Sequence, residues 1–106
     1  MTSLSRREED AVRERIASYL SRDRDGRRRA VLYMFCCGDM FSTSDIDSRL
    51  RDMGFDLKDR GTPAMVGLMG SKTGVLHVDI TGNHNFYSIK EKYRELVVSV
   101  VGEHRR

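Results

Sequence analysis

Residues 74–91 read G-V-L-H-V-D-I-T-G-N-H-N-F-Y-S-I-K-E, and within them the spacing of apolar residues changes from helical to two. Leu76, Val78 and Ile80 alternate with His77, Asp79 and Thr81, and on the return Tyr87 and Ile89 alternate with Ser88 and Lys90. A period of two belongs to a strand with one covered face. Between the runs, Gly82-Asn83-His84-Asn85 supplies residues that tolerate a positive φ. The stretch predicts a β-hairpin with its turn at Gly82 to Asn85.

Immediately upstream, Thr62-Pro63 opens a helix, with Thr at the cap and Pro at the first helical position. Met65, Leu68 and Met69 give it an apolar face, and Gly70 is expected to close it. The preceding helix takes its start from Ser42 with Asp45, or from Ser44 with Asp47. It buries Ile46, Leu50 and Met53, and Gly54 ends it. Earlier still, R-R-R-A-V-L-Y-M-F-C-C-G (27–38) is nearly continuous in its apolar character. Its length, its Ala, Leu and Met content and the closing Gly38 favour a central helix over a buried strand. At the N-terminus, Ser5 and Glu8 match a capping box, and Val12, Ile16, Tyr19 and Leu20 share one helical face. Downstream of the hairpin, Tyr93, Leu96, Val97, Val100 and Val101 form the stripe of a last helix.

The order helix, helix, helix, helix, hairpin, helix resembles a winged helix-turn-helix domain with an added helix at each end. Residues 29–57, a buried helix followed by S-T-S-D-I-D-S-R-L-R-D-M-G-F, look like the opening of a ferric-uptake-regulator-type DNA-binding domain. The hairpin exit Y-S-I-K-E-K-Y-R-E-L (87–96) is similar to the Y-x-L-T-x-K-G-x-E-L close of many winged-helix regulators. The pattern covers residues 27–98. The whole chain also resembles small archaeal proteins grouped as a family of unknown function. The fold class implied is α+β, a three-helix core with a β-hairpin wing, forming one domain over 1–106. Its parts are an N-terminal helix (5–21), a winged-helix core (27–91) and a C-terminal helix (92–104).

In that superfamily the second helix of the pair lies in the major groove and the hairpin tip reaches phosphate or the minor groove. Carried onto this sequence, the groove-facing helix runs from Thr62 to Gly70 and the tip is Gly82 to Asn85. The helix holds no Arg, Lys, Asn or Gln, the side chains that read base edges. The working mechanism presents Thr62 to Lys72 to the major groove. Arg60, Ser71 and Lys72 then contact phosphate, Asn83 and His84 touch the neighbouring backbone, and Arg27, Arg28 and Arg29 add electrostatic attraction. The resemblance thus implies a small transcription-regulator-like protein that binds double-stranded DNA. The alternative is a winged-helix module that binds protein through Met65, Met69 and Met53, since methionine adapts to irregular partners.

Charge bears on this choice. The net charge is +3 and the pI about 9.1. Residues 1–29 hold nine arginines against six acids, whereas residues 30–72 hold five basic residues against six acids. Phosphate neutralisation dominates DNA affinity, so the N-terminal arginines carry the electrostatic argument.

Other chemistry is poorly served. Gly70-Ser71-Lys72-Thr73 resembles part of a phosphate loop, but a helix precedes it and a strand follows, the inverse of the required context. His77, Asp79 and His84 form the one cluster with metal-ligand chemistry, and a polar strand face explains them as well. Cys36 and Cys37 are adjacent in an apolar stretch, where a strained ring disfavours a disulfide, and are expected as buried thiols. No catalytic spacing is present, so neither an enzyme, a metal nor a cofactor is expected. Mean hydropathy is −0.53, and no apolar run reaches the length of a membrane span, so the expected setting is the cytoplasm. The two terminal stripes either pack on each other within one chain or pair across a two-fold axis. The second arrangement, a homodimer through the terminal helices, is the expectation.

Overall fold

The computed structural model describes residues 4–38, 40–57 and 61–103. The Ser5 hydroxyl accepts the Glu8 amide at 3.1 Å and starts α1 (Arg6–Ser21). The capping box is only half formed, because the Glu8 carboxylate instead accepts the Tyr93 hydroxyl. α2 (Arg27–Cys37) follows and ends at Gly38 as read from the sequence. Its last carbonyls, those of Phe35 and Cys36, accept the Arg94 guanidinium at 3.3 and 2.8 Å. A cation at a helix C-terminus satisfies free carbonyls and opposes the negative end of the dipole.

A two-residue strand, β1 (Phe41–Ser42), precedes α3 (Thr43–Asp52). Periodicity does not register so short a strand. It exists because β3 offers it an edge, with Phe41 opposite Tyr87 and Ser42 opposite Phe86. Of the two candidate caps, Ser42 and Asp45 form the reciprocal box, with bonds of 3.1 and 3.0 Å. α3 closes in a Schellman motif: the Gly54 amide donates to the Arg51 carbonyl and the Phe55 amide to the Leu50 carbonyl, both at 3.0 Å. That geometry corrects the reading of Met53. It occupies the cap position and is 53% exposed, while Phe55 turns back toward the core.

α4 (Thr62–Thr73) runs one turn beyond the expected stop at Gly70. Helical hydrogen bonding continues until Gly74 adopts φ +74 and ends it. The Thr73 hydroxyl donates to the Met69 carbonyl at 2.7 Å and accepts the Val75 amide, tying the helix end to the strand.

β2 (Leu76–Thr81) and β3 (His84–Ile89) form the hairpin. The turn is two residues, Gly82 and Asn83, and His84 and Asn85 belong to β3. Gly82, at φ +62, takes the first central position, where a two-residue hairpin of this kind needs a positive φ. The sheet is antiparallel with order β1-β3-β2. Only the base of the hairpin is covered: Leu76 and Ile89 are buried, whereas Val78 is 44% and Ile80 69% exposed. The alternation is present, but the hairpin projects beyond the core.

A single 3-10 turn (Glu91–Tyr93) leads into α5 (Arg94–Glu103). The described residues thus form an α+β arrangement of five α-helices and a small three-stranded antiparallel sheet. One core joins Ile16 of α1, Leu32 and Phe35 of α2, Ile46 and Leu50 of α3, Val66 and Met69 of α4, and Val97 and Val100 of α5. The stripes Val12/Ile16/Tyr19/Leu20 and Tyr93/Leu96/Val97/Val100/Val101 are buried inside this core. Covered within one chain, they no longer offer the exposed faces from which a dimer through the terminal helices was expected. Among the described residues, no helix is long and apolar enough to cross a membrane.

Candidate functional site

α4 turns Thr62, Val66, Met69 and Thr73 into the core. Its exposed face carries Pro63, Ala64, Gly67, Leu68, Ser71 and Lys72. One cavity lies beside Leu68 and Lys72 of this face, and another meets the start of the helix at Pro63.

Beside α1 and the start of α2, a cavity of about 360 Å³ is lined by Arg15, Arg22, Arg28 and Lys72, with Glu14 as the one acid among the described residues. Two of these cations are held by neutral groups. Arg15 Nε donates to the Thr73 carbonyl at 3.2 Å. An Arg28 guanidinium nitrogen donates to the Tyr19 carbonyl at 2.8 Å, and the guanidinium lies 4.4 Å from the Tyr19 ring centroid. Such contacts orient a guanidinium without neutralising it. Arg13, Arg27, Arg51, Lys92 and Arg94, by contrast, each pair with a carboxylate. Tyr19 also lines the cavity. Its hydroxyl is buried with no hydrogen-bond partner among the described residues, and burial pushes its pKa up to about 12 against the pull of Arg28.

A second cavity, of about 320 Å³, lies between the hairpin and the starts of α3 and α4. Ser42, Thr43, Ser44, Pro63, Asn83, His84, Asn85 and Tyr87 line it. Its described lining is a wall of hydroxyls, amides and one imidazole, and it meets α4 at Pro63.

The expected site residues divide between these surroundings. Ser71 and Lys72 are exposed on α4, and Asn83 and His84 are exposed at the hairpin tip. Arg60 lies outside the described residues. Thr62 is corrected: it is 4% exposed, and its hydroxyl donates to Asp47 Oδ1 at 2.9 Å. It joins α4 to α3 and faces away from the surface. The Arg51 guanidinium and then the Thr62 hydroxyl hold the Asp47 carboxyl below its ordinary pKa.

The arginine run at 27–29 also separates. Arg27 forks onto the Asp25 carboxylate at 2.9 and 3.1 Å. The free amides at the start of α2 do meet anions, but these are supplied by the chain itself. Asp25 accepts the Arg27 amide at 3.1 Å, and Asp23 accepts those of Arg28 and Arg29 at 3.1 and 3.0 Å. Arg29 is half-buried, its Nε without a partner among the described residues. Arg28 lines the cavity that it shares with Lys72, and together with Arg27 it also lines a neighbouring cavity of about 310 Å³ that holds Asp23, Asp25 and Met65.

Arg15 and Arg22 are the residues that sequence reasoning missed. They stand seven apart, Arg15 on α1 and Arg22 at its C-terminal cap, with Ser18 between them, a polar stripe beside the apolar one. That spacing is visible in the sequence, but nothing there says that α1 packs against α4.

The remaining chemistry is sparse. His77 and Asp79 share the outer hairpin face, opposite Ser88 and Phe86. No group of three metal-ligating side chains forms among the described residues. The cysteines differ from the expectation of two buried thiols: Cys36 is half-buried and Cys37 exposed. Desolvation, then the neighbouring Cys37, pushes the Cys36 pKa up to about 11.

An uncharacterized protein of Archaeoglobus fulgidus is 38% identical over 92 residues, covering 87% of this chain and 94% of its own length. No solved structure matches the chain. The family described as "Protein of unknown function (DUF2551)" matches residues 16–97, from the middle of α1 to the first half of α5, and the chain belongs to that family.

Proposed function

We propose that the chain is a winged helix-turn-helix protein that binds double-stranded DNA and has no enzymatic activity. In this reading α3 and α4 are the helix pair, β2 and β3 the wing, and β1 the short strand that anchors the wing to the pair. The observation that carries it is the cavity beside the exposed face of α4, where Arg15, Arg22, Arg28 and Lys72 gather and none of them forms an ion pair among the described residues.

The mechanism follows from the two cavities. α4 enters the major groove. Arg22, Arg28 and Lys72 meet the phosphates on one side, and Asn83 and His84 at the hairpin tip meet the backbone on the other. The α4 surface is made of Ala64, Gly67, Leu68 and Ser71, which permit close approach and offer few hydrogen bonds to base edges. Binding is therefore dominated by phosphate contacts and discriminates weakly between sequences.

A second reading, a module that binds protein, is favoured by one observation: Leu68 is 45% exposed on α4 next to Ala64 and Gly67. The methionine face proposed for it is reduced to Met53, which is 53% exposed, because Met69 is buried and Met65 half-buried. A salt titration of binding to random-sequence duplex DNA, read by fluorescence anisotropy, separates the readings. DNA binding gives micromolar affinity and a steep negative log–log slope. Absence of binding at low salt overturns it in favour of a protein partner at Leu68.

A further inference from the structure

The hairpin leaves one strand unpaired on its outer side. In the order β1-β3-β2 the outer strands are β1, of two residues, and β2, whose free edge is six residues long. Edge strands are commonly protected from association by charged side chains, Lys above all, by Pro or by a bulge. β2 reads L-H-V-D-I-T and carries one charged side chain, Asp79, and neither Lys nor Pro, and its register with β3 is continuous from Leu76 to Thr81. It also displays Val78 and Ile80, two of the large apolar side chains the fold leaves uncovered.

The register fixes which backbone groups face outward. Thr81 and His84 flank the two-residue turn as direct partners, so they form the hydrogen-bonded pair that closes it. Hydrogen-bonded pairs alternate along an antiparallel ladder, which makes Asp79–Phe86 and His77–Ser88 the next two. The N–H and C=O groups of Leu76, Val78 and Ile80 therefore point to the free edge.

We propose that β2 pairs antiparallel with β2 of a second copy of this chain, with the two-fold axis at Val78. Charge selects this register. Centred on Val78, each His77 stands opposite the second copy's Asp79, and Leu76 stands opposite the second copy's Ile80. Centred on Asp79, two carboxylates oppose each other, which is destabilising. Centred on His77, Ile80 loses its apolar partner. The Val78 register also matches the backbone, because Val78 and the Leu76–Ile80 pairs fall where free N–H and C=O groups exchange hydrogen bonds. The two His77–Asp79 pairs fall at the intervening positions, where opposing side chains approach most closely. Pairing covers the exposed Val78 and Ile80 and joins two three-stranded sheets into one. This interface is separate from the terminal helices and does not depend on DNA binding.

Sedimentation equilibrium of the full chain over a range of concentrations tests the pairing, with amide hydrogen exchange measured alongside. The expected result is a reversible dimer in which the Val78 and Ile80 amides become protected as it forms. His77→Glu weakens dimerisation by about tenfold or more, since it opposes like charges twice across the axis. Adding Asp79→Lys to that variant restores it, and Ile80→Lys abolishes it. Circular dichroism and a thermal melt establish that each variant is folded, and all these side chains are exposed. A chain that stays monomeric at every concentration overturns the proposal. So does a dimer indifferent to His77→Glu, a loss that the double variant does not restore, or free exchange at Val78 and Ile80.

Discussion

The Tyr93 hydroxyl donates a 2.8 Å hydrogen bond to Glu8 Oε2, joining the turn before α5 to the first turn of α1. Lys92 Nζ lies 3.5 Å from the same oxygen. The Tyr93 bond, followed by the charge of Lys92, holds the Glu8 carboxyl below its ordinary pKa. A carboxyl whose folded pKa is depressed contributes stability that is present above its unfolded value and lost as pH falls through the folded one. Tyr93→Phe is expected to lower the melting temperature at neutral pH and to have less effect once the pH is well below the ordinary glutamate value of 4.5. Melts of both chains across the acid range measure this, and an offset that persists at the acid end contradicts the linkage.

The two classes of polar residue on α4 respond to different measurements. Thr62→Val removes the buried hydroxyl that reaches Asp47 and costs about 1 kcal/mol in urea unfolding. It leaves DNA affinity unchanged under conditions where the variant is folded.

Arg22→Ala and Lys72→Ala do the reverse. Both side chains are exposed, so stability changes by less than about 0.5 kcal/mol. Each loses affinity for all duplex sequences alike, and the log–log salt slope falls by about 0.9 for each phosphate contact removed. Equal slopes in variant and parent would remove these residues from the interface.

Ile16 tests whether the terminal helices belong to the folded core of a single chain. It is fully buried from α1 among residues of the other helices. Ile16→Ala is expected to cost about 2–5 kcal/mol, the range for truncating a large aliphatic core side chain. The unfolding midpoint of this variant should not depend on protein concentration beyond what the parent shows. A loss that disappears at high concentration would mean that the stripe is covered by a second chain instead.

The adjacent thiols should differ in reactivity. Cys37 is exposed, whereas burial pushes the Cys36 thiol up to about 11 and leaves it almost wholly protonated near neutrality. Limited alkylation of the folded protein followed by peptide mass mapping should find Cys37 modified well before Cys36. Denaturation should make the two rates converge.

Local chemistry was legible where a short stretch contains its own reason. Gly38, Gly54 and the alternation on either side of Gly82 each specify a stop or a strand through groups within a few residues of one another, whereas the start of α3 was narrowed to Ser42 or Ser44 and the structure takes Ser42. The helix order and hairpin followed, and so did all nine residues of the two terminal stripes. The errors came where a distant partner decides. Gly70 does not stop α4, because Thr73, Gly74 and Val75 complete the helix further on. Thr62 looked like the cap of α4, but Gly61 takes that position, and α3 brings Asp47 to the Thr62 hydroxyl. Val78 and Ile80 keep the strand pattern but lack a covering layer, since the sheet outruns the core at that end.

The candidate site shows the same division. The sequence by itself determined the five helices and the hairpin, the basic excess in the first 29 residues and the absence of Arg, Lys, Asn and Gln from Thr62 to Gly70, because these depend on composition and on spacing within one element. Only the tertiary structure decided which cations act together. Ion pairs with nearby carboxylates take up Arg13, Arg27 and Arg51, and the packing of α1 on α4 brings Arg15 and Arg22 beside Lys72. Electrostatic attraction depends on distance in space and on whether each charge already has a partner, and neither can be read along a chain.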